Sequence, residues 1–105
     1  MIPVVKENIN ALRDVCRNLS VSKLYLFGSA AREKDFNDSS DIDFLFRFES
    51  DAEHLKTDKK PDYLDLLFQL ENVLKRKVDL VWIDGITNPY FIQSVKKDLT
   101  PIYGA

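Results

Sequence analysis

The 105-residue sequence has little of several residue types that define common protein classes. One cysteine, Cys16, cannot form an internal disulfide, which excludes a secreted disulfide-stabilised scaffold. One histidine, His54, excludes a metal site built from several histidines. No apolar run reaches about 18 residues, and the N-terminus lacks the basic and apolar segments of a signal peptide. We therefore expect a cytoplasmic protein without a transmembrane helix.

Glycine is also scarce, with three in the chain. A dinucleotide-binding Gly-x-Gly-x-x-Gly fingerprint is absent, and so is the Gly-Lys-Ser/Thr of a P-loop. Two frequent ways of holding a nucleotide are thereby excluded.

The rest of the composition is that of a globular protein. Apolar residues make up 45% and charged residues 30%, and the net charge is -2 at pH 7. The length suits one domain over residues 1–105. The slightly acidic net charge argues against a nucleic-acid coat or a membrane-surface protein. We therefore expect no direct binding to nucleic acid or to a membrane. Oligomeric state stays open, with a homo-oligomer as one option.

Hydrophobic periodicity predicts alternating helices and strands. Helices are predicted over residues 4–19, 29–34, 61–76 and 88–99. The signals are apolar residues spaced three and four positions apart and helix starts such as Asn88-Pro89. Short apolar runs predict strands over residues 23–27, 41–48, 78–83 and 101–103, the last at an edge. Residues 35–40 and 49–61 are polar and predict loops. We expect an α+β (α/β) fold, with helices packed on a small mixed sheet.

Two acids begin the strand at 41–48. Side chains alternate along a strand, so Asp41 and Asp43 share one face, roughly 7 Å apart at the backbone. The four apolar residues on the other face belong in the core: Ile42, Phe44, Phe46 and Phe48. Two unpaired carboxylates repel, and a divalent cation such as Mg²⁺ or Mn²⁺ would relieve that repulsion. The alternative is that Asp41 caps a turn and Asp43 is solvated.

A third acid, Asp79, lies inside the apolar strand at 78–83. An isolated charge there is costly, and if this strand neighbours the one at 41–48, Asp79 joins the other two acids. Three carboxylates can hold two metal ions about 4 Å apart, an arrangement suited to phosphoryl or nucleotidyl transfer. The alternative is an ion pair of Asp79 with Lys77 or Arg47.

Gly28 and Ser29 follow the strand at 23–27 and precede a predicted helical turn. Glycine permits close approach of a ligand, and free amides at a helix start attract phosphate. Arg32 could reach the same phosphate or could be an ordinary surface arginine. Cys16 and Trp82 are expected in the core, and His54 in a solvated loop.

Three segments in order resemble the DNA polymerase β-like nucleotidyltransferase superfamily, in particular its minimal single-domain branch. They are Leu26-Phe27-Gly28-Ser29-Ala30-Ala31-Arg32, Ser40-Asp41-Ile42-Asp43-Phe44-Leu45 and Val78-Asp79-Leu80-Val81. The resemblance implies the polymerase β palm-like fold. It also implies that Asp41, Asp43 and Asp79 are catalytic and ligate two Mg²⁺ ions. Gly28, Ser29 and Arg32 would bind the nucleotide.

The resemblance further implies transfer of a nucleoside monophosphate, in particular AMP from ATP, to an acceptor hydroxyl. Minimal members often serve as the antitoxin of a toxin–antitoxin module and bind or adenylylate a HEPN-domain toxin. We therefore expect an antitoxin whose partner is such a toxin. Two alternatives are a non-catalytic module that neutralises the toxin by contact and a subunit of a small-molecule nucleotidyltransferase. The chain departs from the family pattern at Glu33, where glycine is frequent, and by one additional residue between Ser29 and Asp41.

Overall fold

The computed structural model describes residues 1–33, 36–37, 39–49 and 63–104. The predicted loop at 49–61, with His54, lies outside the described residues except for Glu49. The helices are α1 (Pro3–Glu7), α2 (Ile9–Asn18), α3 (Ser29–Arg32), α4 (Tyr63–Leu74) and α5 (Pro89–Lys96). The strands are β1 (Val21–Phe27), β2 (Ile42–Phe48), β3 (Val78–Trp82) and β4 (Thr100–Tyr103). A short 3₁₀ helix, Ile83–Gly85, follows β3.

The four strands form one mixed sheet in the order β3-β2-β1-β4. β1 pairs antiparallel with both β2 and β4, and β2 pairs parallel with β3. The parallel pair needs a crossover, which α4 supplies. β4 lies at an edge of the sheet, as predicted. The predicted fold class is confirmed, and the division of the chain into a single domain stays a prediction.

The first helix differs from the prediction because it is broken at Asn8. That residue leaves helical geometry, with φ -109° and ψ 16°, and ends α1 before α2 begins. Its side-chain amide donates to the carbonyl of Val4 at 2.8 Å, so the side chain takes over a carbonyl that the helix end leaves free. The apolar positions continue in phase across the break, which is why periodicity alone predicts one helix over 4–19.

The large apolar core lies between α1, α2 and α4 and one face of the sheet. The predicted inward-facing residues of β2 all belong to it and are nearly inaccessible: Ile42, Phe44, Phe46 and Phe48. Cys16 is also buried there, as expected, and burial raises the pKa of its thiol to about 12. An unreactive packing residue fits that environment.

The opposite face of the sheet carries a smaller apolar cluster. Its buried members are Phe27, Leu45 and Val95, with α5 lying over the strands. Phe91 of α5 meets Phe27 edge to face, with ring centroids 6.0 Å apart. This cluster fixes α5 against the sheet and leaves the strand ends at Phe27 and Asp43 beside it.

The start of α5 agrees with the prediction from the sequence, whereas the end of β3 differs from it. Asn88 caps α5 as predicted, since its side chain accepts hydrogen bonds from the backbone of Tyr90 and Phe91. The expectation that Trp82 is core is wrong, because it is 42% exposed at the end of the edge strand β3. No helix in the described ranges is long and apolar enough to cross a membrane.

Candidate active site

Two of the predicted acids lie side by side on neighbouring strands. In the parallel pair of β2 and β3, Asp43 is the register partner of Asp79. Equivalent positions of paired strands point to the same face, so both carboxylates leave the sheet on the face opposite the large core. The predicted neighbourhood of these two strands is thus confirmed.

Gly28 brings the end of β1 up against Asp43 from the other side. Phe27 pairs with Asp43, and Gly28 follows at φ +74°, a conformation that favours glycine. A Cβ atom on Gly28 would lie 2.7 Å from the Oδ2 atom of Asp43. The carbonyl of Gly28 accepts hydrogen bonds from the amides of Ala31 and Arg32, and these bonds begin α3 at Ser29. Glycine is required here by both the backbone turn and the nearby carboxylate.

The environment of Asp43 raises its pKa to about 6 from an ordinary value of 3.8. Partial burial is the largest cause, because it disfavours the charged form, and the negative charges of Asp79 and Asp41 add to it. The positive charge of Arg32 acts in the opposite direction. The charges of three other predicted site residues therefore all act on the pKa of Asp43.

Asp41 lies just ahead of the strand pair that aligns the other two acids. It directly precedes β2 and is exposed, and the next amide, of Ile42, donates to the carbonyl of Lys77 at 3.0 Å. Across the described ranges, no three acidic, histidine or cysteine side chains are close enough together to hold one metal ion. Asp43 and Asp79 are adjacent, and Asp41 is near enough for its charge to raise the pKa of Asp43.

The predicted alternative ion pairs of Asp79 do not form in the described part of the chain. Arg47 instead binds Asp84 of the 3₁₀ helix through two hydrogen bonds. The ion pairs found among the described residues include neither Asp79 nor Lys77. Asp79 is exposed at the edge strand, so water or a cation can reach its carboxylate.

Arg32 is held by a residue that the sequence analysis does not single out. The Nη1 atom of Arg32 lies 2.7 Å from Oδ2 of Asp98, whose side chain is 18% exposed. Asp98 lies in the turn between α5 and β4, 66 residues further along the chain. The ion pair orients the guanidinium near the acids, and no local pattern in the sequence could indicate so distant a partner.

Comparison with known proteins places these features in a family. Residues 10–105 match the family model described as "Polymerase beta, Nucleotidyltransferase". The proposed protein adenylyltransferase MJ1379 of Methanocaldococcus jannaschii is 32% identical over 96 residues, which cover 90% of this chain and 91% of that protein.

Two solved structures share the fold. A proposed minimal nucleotidyltransferase superposes with a TM-score of 0.69 at 26% identity, covering 92% of this chain and 91% of the other. A chain from the complex of a tri-AMPylated Shewanella oneidensis HEPN toxin with MNT antitoxin superposes with a TM-score of 0.60 at 21% identity. That match covers 95% of this chain and 72% of the other.

Proposed function

Because this chain belongs to the polymerase β nucleotidyltransferase family, we propose that it transfers AMP from ATP to a hydroxyl group of a partner protein. One observation carries the proposal: Gly28, Asp43 and Asp79 lie side by side at one end of the sheet, on or next to three adjacent strands. A backbone that a phosphate can approach closely thus adjoins carboxylates on an open face. Protein as the acceptor is supported by the adenylyltransferase to which the chain is similar.

The proposed reaction is a displacement at the α-phosphorus of ATP. The acceptor oxygen forms a bond to that phosphorus, and the bond from it to the bridging oxygen of the β-phosphate breaks, so that pyrophosphate leaves. Asp79 accepts the proton of the attacking hydroxyl. Gly28, Ser29 and Arg32 bind the triphosphate, and Asp98 keeps Arg32 oriented through their ion pair.

Asp41, Asp43 and Asp79 would hold two Mg²⁺ ions, and Mn²⁺ suits the same ligands. Carboxylate oxygens are the donors that these hard cations prefer. The raised pKa of Asp43 fits this use, because a nearby cation would offset the neighbouring negative charges that contribute to it. When bound, the ions stabilise the negative charge that develops on the attacking and leaving oxygens.

We further propose that the partner is a HEPN-domain toxin and that the chain acts as its antitoxin. The fold shared with a chain of a complex between a HEPN toxin and an MNT antitoxin supports this. So does α4, which exposes Leu64 and Phe68, one helical turn apart, at 53% and 61%. A second candidate function is neutralisation by contact without transfer. The finding that no three acids among the described residues are close enough together to hold one metal ion favours this candidate.

The first experiment is calorimetric titration of Mg²⁺ and a non-hydrolysable ATP analogue into the wild type and Asp43→Asn. We expect metal-dependent binding by the wild type that weakens at least tenfold in the variant, because the variant lacks one metal-binding carboxylate. Asp14→Asn is the matched control, since Asp14 pairs with Arg17 on α2. The control should bind like the wild type.

Transfer is then measured with ATP labelled at the α- or the γ-phosphate and a purified HEPN-domain protein. Label should enter the protein from the α-position and not from the γ-position, and Asp43→Asn should abolish it. Equal nucleotide binding by wild type and Asp43→Asn would rule out the proposed site. Binding without transfer would favour neutralisation by contact.

A further inference from the structure

A positively charged cleft lies beside Asp41, and its basic residues have no part in the function proposed above. It has a volume of about 430 Å³ and is lined by Ser39, Ser40, Asp41, Lys75, Arg76 and Lys77. The three basic residues follow α4 and precede β3, and we refer to them as the basic turn. One acid and three cations leave the cleft with a positive charge, which suits an anionic group.

Arg76 makes the cleft a defined structure. Its Nη2 atom donates to the carbonyls of Asn37 and Ser40, at 2.9 and 3.1 Å. Its guanidinium also lies over the ring of Phe36, 4.7 Å from the centroid. Arg76 thereby ties the basic turn to the segment that leads into Asp41.

Lys75 and Lys77 carry the positive charges of the cleft that no acid in the described ranges pairs with. Both are exposed, and neither forms an ion pair with an acid in the described ranges. Lys75 donates to the neutral side chain of Asn72 at 3.3 Å. The two exposed lysines that line the cleft are therefore available to an acidic group from another molecule.

The basic turn and Gly28 lie on opposite sides of β2. Gly28 follows β1, whose last residue pairs with Asp43, whereas the carbonyl of Lys77 at the start of β3 accepts the amide of Ile42. β1 and β3 are the two different neighbours of β2 in the sheet. Asp43 of β2 and the preceding Asp41 are thus flanked by Gly28 on one side and by the cleft on the other.

An in-line displacement at phosphorus needs the attacking and leaving oxygens on opposite sides. If the triphosphate lies at Gly28, as proposed above, the acceptor hydroxyl arrives from the side of β3. From this geometry we infer that the cleft binds an acidic side chain of the acceptor protein, close to the hydroxyl that is modified. The inference rests on the proposed function, and it specifies the acceptor as a hydroxyl residue in an acidic segment.

The test uses two synthetic fluorescent peptides, one with tyrosine between aspartate and glutamate residues and one with tyrosine between glycine and serine residues. Binding is followed by fluorescence anisotropy with Mg²⁺ and a non-hydrolysable ATP analogue. The wild type should bind the acidic peptide more tightly. Lys77→Gln combined with Lys75→Gln should weaken that binding about five- to tenfold, as expected for two exposed charge pairs. Raising the salt concentration should reduce the preference, because these charges are screened.

Arg17→Gln is the matched control, because it removes one positive charge at the end of α2, near the start of β1 and so far from the cleft. It should leave binding of both peptides unchanged. The affinity for the nucleotide should also stay unchanged in the lysine variants. Their weakened nucleotide binding would instead assign the cleft to the nucleotide phosphates and overturn the inference.

Equal binding of the two peptides, or no binding of either, would also overturn it. The proposed function is judged separately, by nucleotide binding and its loss in Asp43→Asn. The wild type could fail to bind the nucleotide, or bind it no better than Asp43→Asn, while its preference for the acidic peptide still depends on the two lysines. That result would keep the cleft as a binding site for an acidic partner and would remove the transfer step from the proposed function.

Discussion

The two faces of the sheet alternate residue by residue along β2, and they tolerate change differently. On the face covered by α1, α2 and α4, apolar side chains such as Phe44 are completely buried. On the other face, Asp43 meets Asp79, and its pKa is raised by partial burial and by neighbouring negative charges. The first face stabilises the fold, whereas the charged end of the second opposes it. Removing a buried apolar side chain from the first face and a negative charge from the second should therefore have opposite effects on stability.

Phe44→Ala should give the largest effect. The ring is fully buried, so its loss leaves a cavity and should lower the free energy of unfolding by about 3–5 kcal/mol. Urea denaturation followed by circular dichroism measures this change. Phe68→Ala is the control, because Phe68 is 61% exposed and its replacement should cost less than about 1 kcal/mol. Similar costs for both substitutions would contradict the contrast between covered core and exposed surface.

Gly28→Ala should have the next largest effect on stability, and it tests the face of the sheet that carries Asp43. The new methyl group would meet the Asp43 carboxylate in a backbone conformation with positive φ, which we expect to cost about 1–3 kcal/mol. Gly85→Ala provides the comparison, since Gly85 is not in the left-handed region and its Cβ would meet a side chain of Trp82. It should cost less in the same denaturation experiment. The reverse order would mean that Gly28 is not constrained by Asp43.

Asp43→Asn should change stability in the opposite direction. In the absence of divalent metal at pH 7, removing its charge should raise the free energy of unfolding by about 1 kcal/mol, a value reduced for solvent screening. The folded pKa of about 6 exceeds the ordinary 3.8, so the folded protein holds this proton more tightly. Wild-type stability should therefore fall as pH rises from about 4 to 6.

Denaturation midpoints between pH 4 and 7 measure this difference. The pH-dependent fall should be smaller in Asp43→Asn, and its stabilising effect should disappear toward pH 4. A variant less stable than the wild type at pH 7 without metal would contradict the view that Asp43 opposes folding.

Asp98→Asn should have the smallest effect on stability. It weakens the ion pair with Arg32, which is partly exposed, so the cost should be about 0.5–1 kcal/mol. A double-mutant cycle with Arg32→Gln measures the coupling between the two side chains. Asp14→Asn, in the more exposed pair with Arg17, should cost less. Coupling near zero between Arg32 and Asp98 would show that the ion pair does not fix the arginine.

Much of this contrast can be predicted from the sequence, because hydrophobicity along residues 41–48 has a period of two at every position except Leu45. The alternation of charged and apolar residues from Asp41 to Phe48, interrupted at Leu45, is enough to assign the two faces. The apolar run at Val78–Trp82 likewise indicates a strand with Asp79 on the opposite face from Leu80, as the structure has it.

Other features depend on contacts that no local pattern encodes. Trp82 belongs by alternation to the covered face, but it lies at the end of an edge strand, where the covering is incomplete. The ion pair of Arg32 with Asp98 and the contact of Arg76 with Ser40 join residues 66 and 36 positions apart. The break at Asn8 is accompanied by a side-chain hydrogen bond and lies within an otherwise continuous helical pattern.

The alternation along β2 also determines where the chain can change in length. Deleting one residue within β2 would turn every later side chain to the opposite face, sending phenylalanines to the open face and an arginine into the core. A single insertion between Arg32 and Asp41 leaves the pairing of Asp43 with Asp79 intact, because it lies ahead of the strand. The length of the segment between Ser29 and Asp41 in this chain is thus compatible with the observed arrangement of Asp43 and Asp79. Length variation among relatives should accordingly collect before Asp41 and be absent from residues 42–48.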